Sequence, residues 1–256
     1  MNTLQLALLA TLGTWAMTAL GAATVLFFRR PSARLMGPLL AFAAGVMTAA
    51  SFWSLLLPAI EMARAAPGLP AWLAASIGLS GGAGLIWVAD RWLSRAKRGQ
   101  DPAARRVGLL LFSITLHNIP EGLAVGVAFG ALAGGPEGAG LAGAISLALG
   151  IGLQNLPEGA AVSLPLRQSG LSRTKSFLLG QLSGLVEPLA GVLGALMVAR
   201  MTAALPYALT FAAGAMLWVA VHELIPESRR AAPGHLTTVA FMLGFAAMMA
   251  LDVGLG

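Results

Sequence analysis

The chain has 256 residues, of which 57% are hydrophobic and only 10% are charged, and its mean hydropathy is +0.81. An ordinary soluble domain carries about 25% charged residues, so this composition excludes both a soluble globular enzyme and a disordered chain. Because the chain contains no cysteine, disulfides, thiolate metal sites and cysteine nucleophiles are also excluded.

Apolar stretches long enough to cross a membrane recur along the whole chain. A helix needs roughly 20 apolar residues to cross a hydrocarbon core about 30 Å thick. The first 28 residues carry no charge and lack the basic start of a signal peptide, which favours a retained span. Eight spans are predicted, at about 3–28, 36–61, 70–93, 105–132, 139–166, 173–199, 204–226 and 234–253. We therefore expect an all-α integral membrane protein, with residues 1–256 forming one membrane domain in the lipid bilayer.

The basic residues predict how these spans are oriented. The net charge of +6 could indicate a nucleic-acid partner, but the Lys and Arg residues lie between long apolar runs, so no such partner is expected. Of the 16 Lys and Arg residues, all but Arg64 and Arg200 lie in the connections that follow spans 1, 3, 5 and 7. Because cytoplasmic loops are enriched in basic residues, both termini are predicted to lie outside the cytoplasm. The membrane in which the chain is expected is the cell (inner) membrane.

Spans 4 and 5 carry the same polar motif. Span 4 reads HNIPEG over residues 117–122, and span 5 reads QNLPEG over residues 154–159. An ionisable group inside a span costs at least a few kcal/mol, so its presence indicates a function. Each motif proline removes a backbone donor and frees a carbonyl about one turn earlier. Broken helices in corresponding positions are typical of transporter binding sites, so we predict that helices 4 and 5 are broken and form a central site.

The motif side chains indicate a cationic ligand. Residues four apart share a helix face, which places His117 beside Glu121 and Gln154 beside Glu158. The spans contain these carboxylates without any basic partner, and imidazole and carboxylate groups are common metal ligands. The alternative is that the polar groups only pair with one another between helices and have a structural role.

Four further features are weaker signals. Glu187, beside a proline in span 6, could supply a third carboxylate or a structural contact. His222 and Glu223 near the cytoplasmic end of span 7 fit either a release site or a solvated interfacial pair. Met47 in span 2 has, from the sequence alone, the ordinary role of a core or lipid-facing side chain. Asp252 lies at one end of span 8, and no chemistry is assigned to it.

Together, the two proline-glutamate motifs, the VEP of span 6 and the HELIPE of span 7 resemble the ZIP (Zrt/Irt-like) family of divalent-metal transporters, in its GufA-like bacterial branch. The resemblance covers essentially the whole chain. It implies a protein that is not an enzyme, has no cofactor, and carries zinc, and variously iron, manganese or cadmium, into the cytoplasm. It also implies a homodimer and an elevator mechanism, in which spans 1, 4, 5 and 6 move against a scaffold of spans 2, 3, 7 and 8.

The resemblance further implies a two-metal centre between helices 4 and 5. The implied ligands of the first metal are Met47, His117, Glu121, Gln154 and Glu158. Those of the second are Asn118, Asn155 and Glu187, around the shared Glu121 and Glu158. His222 and Glu223 would take the metal on its way to the cytoplasm. Gln154 and Asn155 depart from family members that have acidic or imidazole ligands there, and the connection between spans 3 and 4 lacks the histidine cluster of many relatives.

Two other classes of protein remain as alternatives. An intramembrane metalloprotease would have the helical pattern H-E-x-x-H, but this chain has Pro226 where the second histidine would stand after His222 and Glu223. A proton-coupled carrier of an organic cation would explain the carboxylates, although not the histidine and amides beside them. Uptake of metals compared with uptake of amines would distinguish the carrier from a metal transporter.

Overall fold

The computed structural model of the chain consists of helices joined by short connections. It describes residues 1–27, 33–65, 68–96, 102–133, 140–200, 204–232 and 234–255, and within these ranges it contains no strand. Some side chains inside the helices, that of His117 among them, lie outside the described part of the structure. The all-helical fold class that the apolar spans predict is therefore confirmed for the described residues.

Eight helical rods follow one another in chain order. They are α1 (Thr3–Phe27), α2 (Ala33–Ala50, a π-helical segment Ser51–Leu56, and Leu57–Ala65), α3 (Ala71–Ala96), α4 (Pro102–Gly130, ending in the 3₁₀ turn Ala131–Ala133), α5 (Leu141–Gln168), α6 (Arg173–Gly184 and Val186–Arg200), α7 (Leu205–Val219, a π-helical segment Ala220–Leu224, and Ile225–Ala231) and α8 (His235–Leu255). Within the described residues, six rods are long and apolar enough to cross a membrane. The other two, α4 and α5, carry the duplicated polar motif.

The prediction that helices 4 and 5 are broken is wrong. Helix α4 continues through Pro120, and α5 continues through Pro157. A proline removes only one donor from the hydrogen-bond ladder, so a helix held by its neighbours on both sides can run through it. The departures from α-helix lie elsewhere, at a turn at Leu185 in α6 and in the π-helical segments of α2 and α7.

Glycines allow the closest helix pairs to touch through their backbones. The most extensive pairings are α1 with α5, α4 with α6, α2 with α8 and α3 with α7. A Cβ at Gly126 of α4 would lie 2.0 Å from the carbonyl oxygen of Gly191 in α6. A Cβ at Gly214 of α7 would likewise lie 2.0 Å from the carbonyl oxygen of Leu79 in α3. Small residues permit this approach, which dispersion contacts then stabilise.

These pairings divide the bundle into two groups of helices. The motif group comprises α1, α4, α5 and α6, and the framework group comprises α2, α3, α7 and α8. The largest cluster of buried apolar side chains contains residues of both groups, including Met47 of α2, Val125 of α4, Ile151 of α5 and Met216 of α7. The duplicated motif therefore lies within the motif group, next to the apolar contact with the framework group.

Candidate metal centre

The two copies of the motif meet between α4 and α5. Gln154 of α5 donates a hydrogen bond from Nε2 to Oε1 of Glu121 in α4, at 2.7 Å. Both side chains are completely buried, and Glu158, one turn further along α5, is 5% exposed. Because residues four apart share a helix face, Gln154 and Glu158 both face α4. The site is therefore an enclosed cluster of carboxylates and amides inside the helix bundle.

The most informative feature of the site is a set of buried oxygen atoms without hydrogen-bond partners. Within the described residues, one of them is Ser176 Oγ in α6, and the other four are Glu121 Oε2, Gln154 Oε1, Asn155 Oδ1 and Glu158 Oε1. Roughly 90% or more of buried polar groups in proteins have a partner, so an unpaired group needs an explanation. These other four atoms belong to the duplicated motif, and all four are acceptors. Buried acceptor atoms that receive no hydrogen bond indicate a place where a cation could bind.

The amides are held so that their oxygens remain available. Asn155 donates from Nδ2 to the backbone oxygen of Thr14 at 3.1 Å, while its Oδ1 stays unpaired. Gln154 uses its Nε2 on Glu121 in the same way. Asn118 of α4 donates from Nδ2 to the backbone oxygen of Ser183 in α6, at 2.8 Å. An amide has two kinds of polar atom, and here the donor end is directed to protein groups.

A third carboxylate comes from α6. Glu187 is completely buried and lies just after the turn at Leu185. Its oxygens accept hydrogen bonds from the hydroxyls of Thr14 and Thr18 in α1, and from Nδ2 of Asn155 in α5. The sequence left open whether Glu187 belongs to the site. The structure places it there, in direct contact with the second asparagine of the motif.

The carboxylates interact electrostatically with one another. Glu121 lies within electrostatic range of Glu158 and Glu187. Glu158 lies within electrostatic range of Glu187 and of Glu223 in α7. Among the described residues, no Lys or Arg pairs with the first three of these carboxylates. Several buried negative charges without a positive partner are costly, and a divalent cation would remove that cost.

The remaining predicted site residues do not all converge on this cluster. Glu223 is within electrostatic range of Glu158, but His222 is exposed and its ring stacks on Trp218 with 5.4 Å between ring centroids. Met47 is buried in the apolar cluster that includes Ile151, one turn before the α5 motif. The side chain of His117 lies outside the described residues. Within the described residues, no three His, Asp or Glu side chains lie so that they could hold a metal by themselves.

Three polar residues to which the sequence patterns assigned no role form hydrogen bonds between helices. Thr14 and Thr18, which bond Glu187, are four residues apart in an uncharged span, and this helical spacing was the available signal. Asp252 of α8 accepts hydrogen bonds from Ser54 of α2, at 2.8 and 3.0 Å, and from Ser146 of α5, at 3.1 Å. An acidic residue in an apolar span was the signal for Asp252, because such a residue needs partners.

The six apolar helices that are long enough to cross a membrane are those of a multi-pass membrane protein, and the buried carboxylate and amide oxygens of α4 and α5 form its candidate cation site. Residues 103–252 match the family described as ZIP Zinc transporter. The chain is 38% identical to "Zinc transporter ZIP11" of Homo sapiens, over 98% of this chain and 97% of that protein. It is 39% identical to "Zinc transporter GufA" of Myxococcus xanthus, over 97% of this chain and 98% of that one. It is 40% identical to "Zinc transporter ZIPB" of Bordetella bronchiseptica, over 94% and 79%.

The chain thus belongs to the ZIP family, and the GufA-like relationship that its motifs predicted is confirmed.

Proposed function

We propose that this protein transports divalent metal ions, zinc foremost and also iron, manganese or cadmium, across the cell (inner) membrane into the cytoplasm. The relatives named above are described as zinc transporters. The observation that carries the proposal is the set of four unpaired, buried acceptor oxygens on Glu121, Gln154, Asn155 and Glu158. In the proposed arrangement eight helices cross the membrane, both termini lie outside the cytoplasm, and two copies of the chain form a homodimer.

The ligand chemistry supports a metal that binds and leaves again. Carboxylates and an imidazole suit zinc, iron and manganese, and a thioether adds softness. Neutral amide oxygens bind metals less strongly than carboxylates do, so Gln154 and Asn155 keep the site weaker than a closed structural zinc site.

We assign the first metal to Met47, His117, Glu121, Gln154 and Glu158, and a second to Asn118, Asn155 and Glu187 around the shared Glu121 and Glu158. One divalent ion beside three carboxylates leaves a net charge of −1, and a second ion changes it to +1. Neither charge is large, so the site tolerates both occupancies.

The packing of the two helix groups supports an elevator mechanism. Many of the described glycines lie so close to a neighbouring helix that an added Cβ would come within 3.0 Å of its backbone. In each of these cases the glycine and the neighbouring helix belong to the same group. Between the groups, the closest such contact is that of Gly150 in α5 with the flexible side chain of Met248 in α8. Backbones that touch resist displacement, whereas side-chain contacts can be exchanged. Each group can therefore move as a rigid unit.

Hydrogen bonds follow the same division. The described side-chain hydrogen bonds between different helices lie within one group, with one exception, from Ser146 of α5 to Asp252 of α8. Displacing the motif group along the framework group would therefore break few polar contacts. Glu223, on the framework group and in range of Glu158, would receive the metal toward the cytoplasm.

Zinc uptake into proteoliposomes that contain the purified chain tests the proposal. A zinc-sensitive dye sealed inside the vesicles should report zinc entering with wild-type protein and no zinc entering with Glu121→Gln. Glu227→Gln is the matched control, because Glu227 is 59% exposed and pairs only with Arg230 among its described contacts. Vesicles that take up organic amines but no divalent metal would favour the organic-cation carrier and contradict the proposal.

A further inference from the structure

Glu187 differs from the other two carboxylates of the site in its hydrogen bonding. Glu121 and Glu158 each have a buried oxygen without a partner, whereas neither oxygen of Glu187 lacks one. The donors to Glu187 are all neutral, and two of them are hydroxyls of α1. The carboxylate that joins the site from α6 is thus already satisfied by protein groups.

The number of these bonds matters for metal binding. An ionised carboxylate offers about four lone-pair positions. Glu187 accepts from Thr14 at Oε2, from Thr18 at Oε1 at 3.3 Å, and from Asn155 at both oxygens at 3.0 Å. Asn155 Nδ2 has two protons, and one of them goes to the backbone oxygen of Thr14, so its two contacts with Glu187 share the other. Three protons are thus spread over both oxygens of Glu187, and a metal ion that binds there competes with them.

Asn155 is the donor least free to leave. Its Nδ2 also donates to the backbone oxygen of Thr14, so its amide is held from two directions. The hydroxyl of Thr14, in contrast, has a second acceptor, because the backbone oxygen of Thr11 lies 3.0 Å from its Oγ1. A hydroxyl has one proton and donates one strong hydrogen bond at a time. Thr14 can therefore release Glu187 by rotating toward Thr11 without losing a partner.

The fold brings these threonines to Glu187 for reasons visible in the sequence. Thr14 and Thr18 are four residues apart and share a face of α1. On α6, Gly184 makes room for this face, since a Cβ there would lie 3.0 Å from side-chain atoms of Thr18. Both threonines are 2% exposed, so their hydroxyls are shielded from bulk water.

We propose that Thr14 and Thr18 are positioning residues of the transport site, whose exchangeable hydroxyls compete with the metal for Glu187 and so set how tightly the second metal is held. This inference rests on the proposed function. When a metal binds Glu187, the hydroxyl of Thr14 turns to the backbone oxygen of Thr11 and the long bond from Thr18 is given up, and when the metal leaves, both bonds form again. The competition weakens metal binding and speeds release, because the carboxylate is stabilised before the metal arrives and after it departs.

The test is the double variant Thr14→Val/Thr18→Val, which keeps the side-chain shape and removes both hydroxyls. We expect the KM for zinc uptake to fall roughly tenfold, because a hydrogen bond to a charged group is worth about that factor in affinity. We also expect a lower maximal rate, since the metal leaves more slowly. Thr14→Ser/Thr18→Ser retains the hydroxyls and should keep wild-type values.

Thr11→Val is the matched control. Thr11 is buried on the same helix, and among the described residues its hydroxyl donates only to the backbone oxygens of Ala7 and Leu8. This variant should leave both KM and maximal rate unchanged. A purely structural role of the hydroxyls would lower the melting temperature without lowering KM.

The outcomes separate this inference from the proposed function. A KM that rises or stays constant in the double valine variant, while the wild type transports zinc, would overturn the competition by the hydroxyls. Should the double variant not fold, Thr18→Val alone removes the longer hydroxyl bond, of 3.3 Å, and must shift KM in the same direction by a smaller factor. Equilibrium dialysis of purified protein with zinc should give a tighter second metal in the valine variant. Absence of zinc uptake by the wild type would refute the proposed function itself.

Discussion

The three buried carboxylates should respond unequally to the loss of their charge, which makes Glu→Gln substitution a sharp test of the metal centre. The substitution keeps the shape of the side chain and removes one negative charge. At Glu121, one oxygen is bonded to Gln154 and the other has no partner within the described residues. The unpaired oxygen is the atom that a metal would contact. Its charge is therefore available to the metal rather than to the protein.

The size of the effect follows from burial. Glu121 is 0% exposed, and at an effective dielectric of about 20 a unit charge about 4 Å from a divalent ion contributes on the order of 8 kcal/mol. Removing one partner of a buried charged pair costs a net free energy of about 4 kcal/mol, which corresponds to roughly a thousandfold loss of affinity. We expect Glu121→Gln and Glu158→Gln to abolish metal uptake. Glu187 already has neutral donors on both oxygens, so Glu187→Gln should lower uptake only about tenfold or change metal preference.

Initial uptake rates of zinc and manganese into proteoliposomes at matched protein levels measure these differences. Gel filtration and the melting temperature of each variant verify that it folds. Near-normal zinc uptake by a well-folded Glu121→Gln variant would remove the site between α4 and α5 from consideration. Equal losses in the Glu121→Gln and Glu187→Gln variants would contradict the distinction that their hydrogen bonds predict.

Three other predictions follow from the sequence and the packing. Because the chain has no cysteine, single cysteines introduced by Asn2→Cys or Gln100→Cys can be labelled with an impermeant thiol reagent in intact cells. Only the cysteine at position 2 should react, and labelling of position 100 alone would show that the topology is inverted. Gly126→Ala places a Cβ against the backbone of α6 and should destabilise the protein by about 1–3 kcal/mol in thermal or denaturant unfolding, whereas Gly84→Ala, with open space around it, should not. His117→Ala should reduce zinc uptake more than manganese uptake, because imidazole favours zinc and manganese prefers oxygen ligands; equal losses would argue against His117 as a ligand.

Much of the site could be predicted from the sequence because its chemistry is duplicated. The repeated proline-glutamate motif identified the helices that meet, and the structure joins them through Gln154 and Glu121. The prediction that the prolines break both helices was wrong, because a proline in a packed helix costs one hydrogen bond and the helix can continue through it. Helical spacing is local information, and it indicates only which residues share a face of the same helix.

What the sequence did not indicate depends on contacts between distant helices. Thr14 and Thr18 acquire their role only because α1 packs against α6, which brings their hydroxyls to Glu187. His222 and Glu223 were treated as one pair, but consecutive residues of a helix point in different directions. The structure places His222 against Trp218 and brings Glu223 into range of Glu158.

The π-helical segments of α2 and α7 also limit how this chain can be altered. A π turn holds one more residue than an α turn, so each segment acts as a one-residue insertion in an otherwise regular helix. One residue corresponds to about 100° of rotation around a helix axis. The wider π turn absorbs that rotation, so the helix beyond Leu224 faces the same way as it would without the extra residue. Deleting a single residue from Ala220–Leu224 ahead of Glu223 would restore a continuous α-helix and would change the direction of Glu223, inside the segment, more than that of the residues beyond it. The length of this segment is therefore as much a part of the proposed metal path as its side chains.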